Sequence, residues 1–232
     1  MPPRPSRNLD QALITAGRAL FPQRGCAGLS IREVADAAGV NLGMFHYHFR
    51  SRDAFLRALM QNAYEEMFAT LTLEAGREPD PVANLRAALR VLGRFLRANR
   101  PFVARVLADA LTGEECARVF LRENMPRHLG VLQKYIAAGQ QAGTLRAIPL
   151  TQAVGTCAGA LAGPILFGGA IVESGNVPPQ VAKMIEATLL ADPALDQRID
   201  LVIAAITAPV ASPAPSAAAR APRRRGKTGG KK

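Results

Sequence analysis

Tryptophan is absent from the 232-residue chain, and cysteine and histidine each occur only three times. Each shortage removes a class of function. Cys26, Cys116 and Cys157 are odd in number, lie more than 40 residues apart and include no Cys-x-x-Cys pair. Neither a zinc site nor a disulfide framework is therefore expected, and the cysteines read as reduced, small apolar residues. His46 and His48 are two residues apart and do not share a helix face, which argues against a metal site. No Ser-His-Asp spacing, phosphate-cradling glycine loop or paired-carboxylate site is recognisable. Asp109, Glu114, Glu115 and Glu123 read as solvated helix charges, so the chain is expected to be no enzyme and to need no cofactor. The N-terminal Met1-Pro2-Pro3-Arg4 lacks the apolar core of a signal peptide, and a cytoplasmic, nucleoid-associated location is expected.

Acidic residues are also scarce, 18 against 29 basic ones, for a net charge of +11. Such a balance suits a polyanion, either nucleic acid or an anionic membrane. The excess is concentrated at one end. Residues 212–232 hold seven cations and no acid, leaving 22 basic against 18 acidic residues, or +4, for residues 1–211. The tail from about Pro209 is rich in Ala, Pro, Ser, Arg and Lys, which cannot build a core and is expected to be disordered. It would add salt-sensitive affinity for a polyanion or serve only solubility.

What is abundant is helical periodicity. Leu13, Ala16, Gly17, Leu20 and Phe21 form one apolar stripe, and Gly25 sits where a helix would end. Further helices are expected at 31–38, 42–48, 52–75, 81–99, 101–111, 115–142, 150–172, 178–191 and 194–207, separated by proline and glycine. No stretch alternates with period two, so the fold class is all-α. The segment 147–172 carries no charge and is long enough for a bilayer, yet its prolines, polar residues and glycines at 155, 159 and 163 fit a closely packed core or interface helix better.

The richest stretch is Gly28 to Phe55. Ser30 and Glu33 form a capping box, and Leu29 with Val34 a hydrophobic staple. Gly39 permits a tight turn and Asn41 caps the next helix. Helix, Ala-Gly-Val turn, helix is a helix-turn-helix, whose second helix enters the DNA major groove. Phe45 and Phe49 anchor that helix, leaving Leu42, Met44, His46 and Tyr47 to point outward. Gly43 allows backbone approach to phosphate, and Tyr47, His48 and Arg52 can donate to phosphate oxygens. Met44 is suited to thymine methyls, and Ser30, mainly a cap, can add a phosphate contact.

Ser30-x-x-x-Val34-Ala35-x-x-Ala38-Gly39-Val40-Asn41-x-Gly43-x-Phe45-His46-Tyr47-His48-Phe49-x-Ser51-Arg52 resembles the N-terminal DNA-binding domain of the TetR family of bacterial transcriptional regulators, over about residues 7–58. The resemblance implies that Tyr47 and His48 contact phosphate and that Arg52 is a basic clamp at the start of the fourth helix. His46, Asn41 and Arg52 depart from the family's usual tyrosine, serine and lysine. The resemblance also implies a divergent helical second domain for ligand binding and dimerisation.

The expected organisation is a three-helix DNA-binding domain at 1–51, a helical ligand-binding and dimerisation domain at 52–208, and the tail at 209–232. The expected function is a homodimeric repressor released from a palindromic double-stranded operator by a small, apolar or amphipathic effector. Phe95, Phe102, Phe120, Met125 and Tyr135 are the candidate pocket residues. Helix 150–172 and the stripe Leu195, Ile199, Val202, Ile203 and Ile206 are the candidate dimer contacts. The competing readings are a helical small-molecule-binding protein or enzyme without DNA binding, and a membrane-associated protein resting on 147–172.

Overall fold

Ten helices follow the proline and glycine punctuation of the chain in a computed structural model that describes residues 7–209. The cationic tail, apart from Pro209, lies outside the described residues. The first helix, α1, spans Arg7–Gly28 but breaks at Gly25, where φ is +64°. A side chain there would collide with the Arg105 guanidinium, so both the left-handed conformation and the close approach require glycine. Ser30 caps α2 (Ile31–Ala37), Asn41 caps α3 (Leu42–Phe49) and Ser51 caps α4 (Arg52–Glu74). In each case the side-chain oxygen accepts the free amide three residues on, at 3.5, 2.9 and 3.1 Å. The expected reciprocal half of the first cap differs. The Glu33 carboxylate turns to the Arg24 guanidinium at 2.6 Å, which holds its pKa below the usual carboxylate value.

The second half is built from α5 (Pro81–Ala98), α6 (Arg100–Thr112), α7 (Glu115–Gln141), α8 (Leu150–Glu173), α9 (Pro179–Ile185) and α10 (Asp192–Ile206). A single π-helical turn, Glu186–Leu190, extends α9. Along α5, Arg86, Arg90 and Arg97 pair with Asp200, Asp196 and Asp192 of α10. These exposed pairs are worth little individually but set one helix's register against the other. The segment between α7 and α8 is tied to the end of α10, with Arg146 N–H donating to the Ile206 carbonyl at 2.8 Å.

Apolar packing separates into two clusters that share α4. One joins α1–α3 and the first half of α4, up to Ala63, and borrows Phe102, Val106 and Ala117 from α6 and α7. The other begins at Tyr64 and takes in α5, α7, α8 and α10. The predicted stripe on α10 lies in this second cluster. Leu195, Ile199, Val202, Ile203 and Ile206 are buried within the chain and offer no surface to a second copy, which corrects the expectation of dimer contacts there; the outward apolar residues are Leu201, Ala204 and Ala205.

The helix α8 is long and apolar enough to cross a membrane, with a mean hydropathy of 1.6 and a third of its most apolar window buried. Its inner face, including Val154, Cys157, Leu161 and Ile165, is core. Gly155, Gly159 and Gly163 have open space where side chains would sit.

Candidate nucleic-acid interface

Three phenylalanines fix the presentation of α3. Phe45 is fully buried, and its ring centroid lies 5.6 Å from Phe49 and 5.1 Å from Phe55, which are 5.0 Å from each other. Tilted and edge-on aromatic contacts of this kind resist sliding and rotation of the short helix. Asn41, Leu42, Gly43, His46 and Tyr47 are left exposed, Tyr47 to 66%, and Met44 is half-buried. Five neighbouring side chains and the bare backbone at Gly43 thus form a protruding edge. Ser30, also exposed, stands at the start of α2.

Two of the expected phosphate contacts are engaged within the protein. The His48 ring sits 3.0 Å from the Asp10 carboxylate on α1, with its side chain 11% exposed. Arg52 donates through Nε to the Leu29 carbonyl at 2.8 Å and through Nη2 to the Cys26 carbonyl. It straps α4 to the α1–α2 turn, because carbonyls left free by the break at Gly25 need donors. A further cation at this edge is Arg50, exposed, just beyond α3, and at a left-handed φ of 50°. It carries no ion pair among the described residues. Its sequence signal was a cation directly after the last anchoring aromatic.

The α1–α2 turn is also held from the other side. Asp109 of α6, almost fully buried, accepts the Cys26 amide at 2.6 Å and the Arg105 Nε at 2.8 Å. Arg105 in turn donates to the Arg24 carbonyl at 3.3 Å. Asp109 is therefore the joint between the two halves. Sequence reading placed it on a solvated face because a single carboxylate on an amphipathic helix carries no sign of its partner.

Residues 13–59 match the pattern of the bacterial regulatory proteins of the tetR family, and they contain this capped helix-turn-helix entire. Within residues 13–59 the chain carries a tetR-type helix-turn-helix. Among curated proteins it is 26% identical over 138 residues to the HTH-type transcriptional repressor DhaR of Mycobacterium sp. (strain GP1), covering 59% of this chain and 69% of that one. It is 25% identical over 92 residues to the HTH-type transcriptional repressor KstR2 of Rhodococcus jostii (strain RHA1), covering 40% and 45%. The fold extends the likeness over nearly the whole chain. A TetR family transcription regulator from Marinobacter aquaeolei VT8 superposes with a TM-score of 0.63 at 15% identity, covering 87% of this chain and 97% of that one. FadR from Bacillus subtilis, solved with stearoyl-CoA, superposes with a TM-score of 0.61 at 14% identity, covering 84% and 98%.

The second half of the chain is hollow. A cavity of about 300 Å³ lies between α4, α5, α6, α7 and α8. Phe95, Phe102, Phe120 and Met125 line it, together with Met60, Met67, Leu92, Val103, Leu107 and Leu161, which the sequence reading did not single out. Tyr135 does not. It is buried elsewhere in the second cluster, its hydroxyl packed against Gly76 beyond the end of α4. Helical periodicity identified Tyr135 as inward but could not say inward to what.

Only Tyr64 and His128 bring polar side chains to the cavity wall. The Tyr64 hydroxyl donates to the Asn124 carbonyl at 2.8 Å and lies 3.4 Å from His128 Nδ1. Burial raises the Tyr64 phenol to about 12 and pushes the His128 imidazole below its ordinary value, so both are neutral near pH 7. Arg127 lies beside them, but its charge is spent on Glu65 at 2.6 Å and on the faces of Phe68 and Tyr64.

Proposed function

We propose that the protein is a homodimeric repressor that leaves a palindromic operator when a neutral, largely apolar small molecule occupies the α4–α8 cavity. One observation carries the reading: α6 serves both sites. Phe102, Val103, Val106 and Leu107 line the cavity, while Arg105 and Asp109 of the same helix grip the turn that carries α2 and α3. A ligand that shifts α6 by a fraction of a turn moves the reading edge directly. It releases DNA only if it binds the shifted state more tightly than the gripping one. FadR, similar in fold, was solved with stearoyl-CoA. Here the wall offers no free cation, so the buried part of the effector is uncharged.

In this reading Tyr47, Gly43, Asn41, Ser30 and Arg50 contact phosphate, and Leu42, Met44 and His46 meet base edges. His48 and Arg52 act by holding α3 and α4 in place. The exposed face of α8, with Gly155, Gly159 and Phe167, and that of α10, with Leu201, pack against the same faces of a second copy. A two-fold axis there would present two reading edges to two half-sites. The tail residues 212–232 add salt-dependent attraction.

Selection of duplexes from a random pool tests the reading. Enrichment of a palindrome with half-sites about one helical turn apart is expected. Enrichment of a lone half-site, or of nothing, would contradict it.

A further inference from the structure

The fold brings together two cysteines that lie 90 positions apart in the chain. Cys26 belongs to the α1–α2 turn of the DNA-binding half, and Cys116 to the first turn of α7. Both line one crevice of about 260 Å³ with Arg52, Asp53, Arg57 and Glu114. Cys116 also packs against the hydrophobic cluster that contains Cys26. Both are free thiols, and each lies close enough to perturb the ionisation of the other. Among the described residues no group of three or more His, Cys, Asp or Glu is arranged to hold a metal ion.

We infer that Cys26 and Cys116 form a peroxide-sensitive dithiol, and that its oxidation to a disulfide staples the DNA-binding half to α7. The two sulfurs are not equivalent. Cys116 is half-buried and reachable from the crevice, at the N-terminal end of a 27-residue helix. The neighbouring Cys26 thiol lowers its pKa, with Arg57 and Arg52 assisting against burial and the Asp53 charge. Cys26 is almost fully buried, and the neighbouring Cys116, burial and Asp109 hold it protonated. Cys116 is thus the attacking thiolate and Cys26 the resolving thiol.

The chemistry balances with hydrogen peroxide as oxidant. The Cys116 thiolate attacks one peroxide oxygen, forming S–O as O–O breaks, and the departing hydroxide takes up a proton as water. Cys26 then attacks the sulfenic sulfur. The S–S bond forms, S–O breaks, and the hydroxide leaves as water with the Cys26 proton. Two electrons pass from the sulfurs to the peroxide, and an external dithiol reverses the change. The pair bridges the joint held by Asp109 and Arg52, so the disulfide opposes any movement of the turn away from α6 and α7. In a reducing cytosol, disulfides of this kind are transient and regulatory.

The test uses the full chain, reduced and then treated with hydrogen peroxide, alkylated under denaturing conditions and mapped by mass spectrometry. The expected result is an intrachain peptide linking Cys26 to Cys116, with Cys157 alkylated and both thiols regained in dithiothreitol. Amide exchange in residues 24–30 should slow on the order of tenfold after oxidation. With dimedone present, Cys26→Ser should accumulate an adduct at Cys116, and Cys116→Ser should show neither adduct nor link. Three alkylated thiols in the treated wild type, a link between two chains, or sulfenic acid trapped at Cys26 or Cys157 would each overturn the inference. None of these readouts depends on DNA or effector, so its failure is distinct from failure of the repressor reading.

Discussion

The two hydrophobic clusters differ in what fills them. The N-terminal one is packed around aromatic rings: Phe21 lies 4.9 Å from Phe102, and Phe45, Phe49 and Phe55 meet within 6 Å. The second is built mainly from Leu, Ile and Ala on five helices, and the cavity of about 300 Å³ opens where the two meet, with Met60, Ala63, Phe102 and Val106 of the first on its wall. Rigid rings with few rotamers suit a part whose job is to hold one geometry. Flexible Met and Leu walls suit a part that must admit a guest. Both clusters are apolar, and the shape of their side chains rather than their polarity sets them apart.

That contrast can be broken by substitution. Phe45→Ala should cost about 3–5 kcal/mol, enough to unfold the DNA-binding half, read by chemical denaturation. Asp109→Ala strands the Cys26 amide and the Arg105 guanidinium and should cost about 2–3 kcal/mol. It should also weaken duplex binding, read by fluorescence anisotropy. The same enlargement should act differently at a packed site and at the cavity. Ala35→Leu, at a buried position of α2, should cost about 1–3 kcal/mol. Ala162→Leu, on the cavity wall, should change stability by less than about 1 kcal/mol while reducing uptake of an apolar dye.

A pH series sharpens the comparison further. Burial lowers the folded-state pKa of His128, so the unfolded chain binds its proton first as pH falls. Stability contributed by the neutral imidazole is present above about pH 6.5 and is lost as pH drops below that. The ring meets the Tyr64 hydroxyl and the Asn124 backbone, both uncharged, and no charged group contributes to its shift. His128→Gln should flatten the slope of denaturation midpoint against pH in this range. The smallest stability effect is expected for Tyr47→Ala, within about 0.5 kcal/mol, with a roughly tenfold loss of affinity for every duplex.

Local signals carried the helices and their caps. Ser30, Asn41 and Ser51 each sit where a cap belongs, and the breaks at Gly25, Gly39, Gly113 and Gly143 all have positive φ. What the sequence could not display were partners at a distance. Arg52 has the spacing of a phosphate clamp, and it also donates to the carbonyls of Cys26 and Leu29. The α10 stripe is real, yet it faces the chain's own core, and Tyr135 is inward without reaching the cavity. Asp109, Cys26 and Cys116 gain their meaning only when α6 and α7 are laid against the α1–α2 turn. Periodicity says which face is buried; the fold decides against what.

The central claim is that α6 couples the cavity to the DNA-reading edge. Hydrogen exchange at the Cys26 amide, measured while anilinonaphthalene sulfonate is titrated into the cavity and operator binding is followed in parallel, tests it most directly. Occupancy should be confirmed by weakened dye binding in Ala162→Phe. The account predicts that dye uptake speeds exchange at Cys26 and lowers duplex affinity together. Dye bound in the cavity with exchange and affinity both unchanged would contradict it.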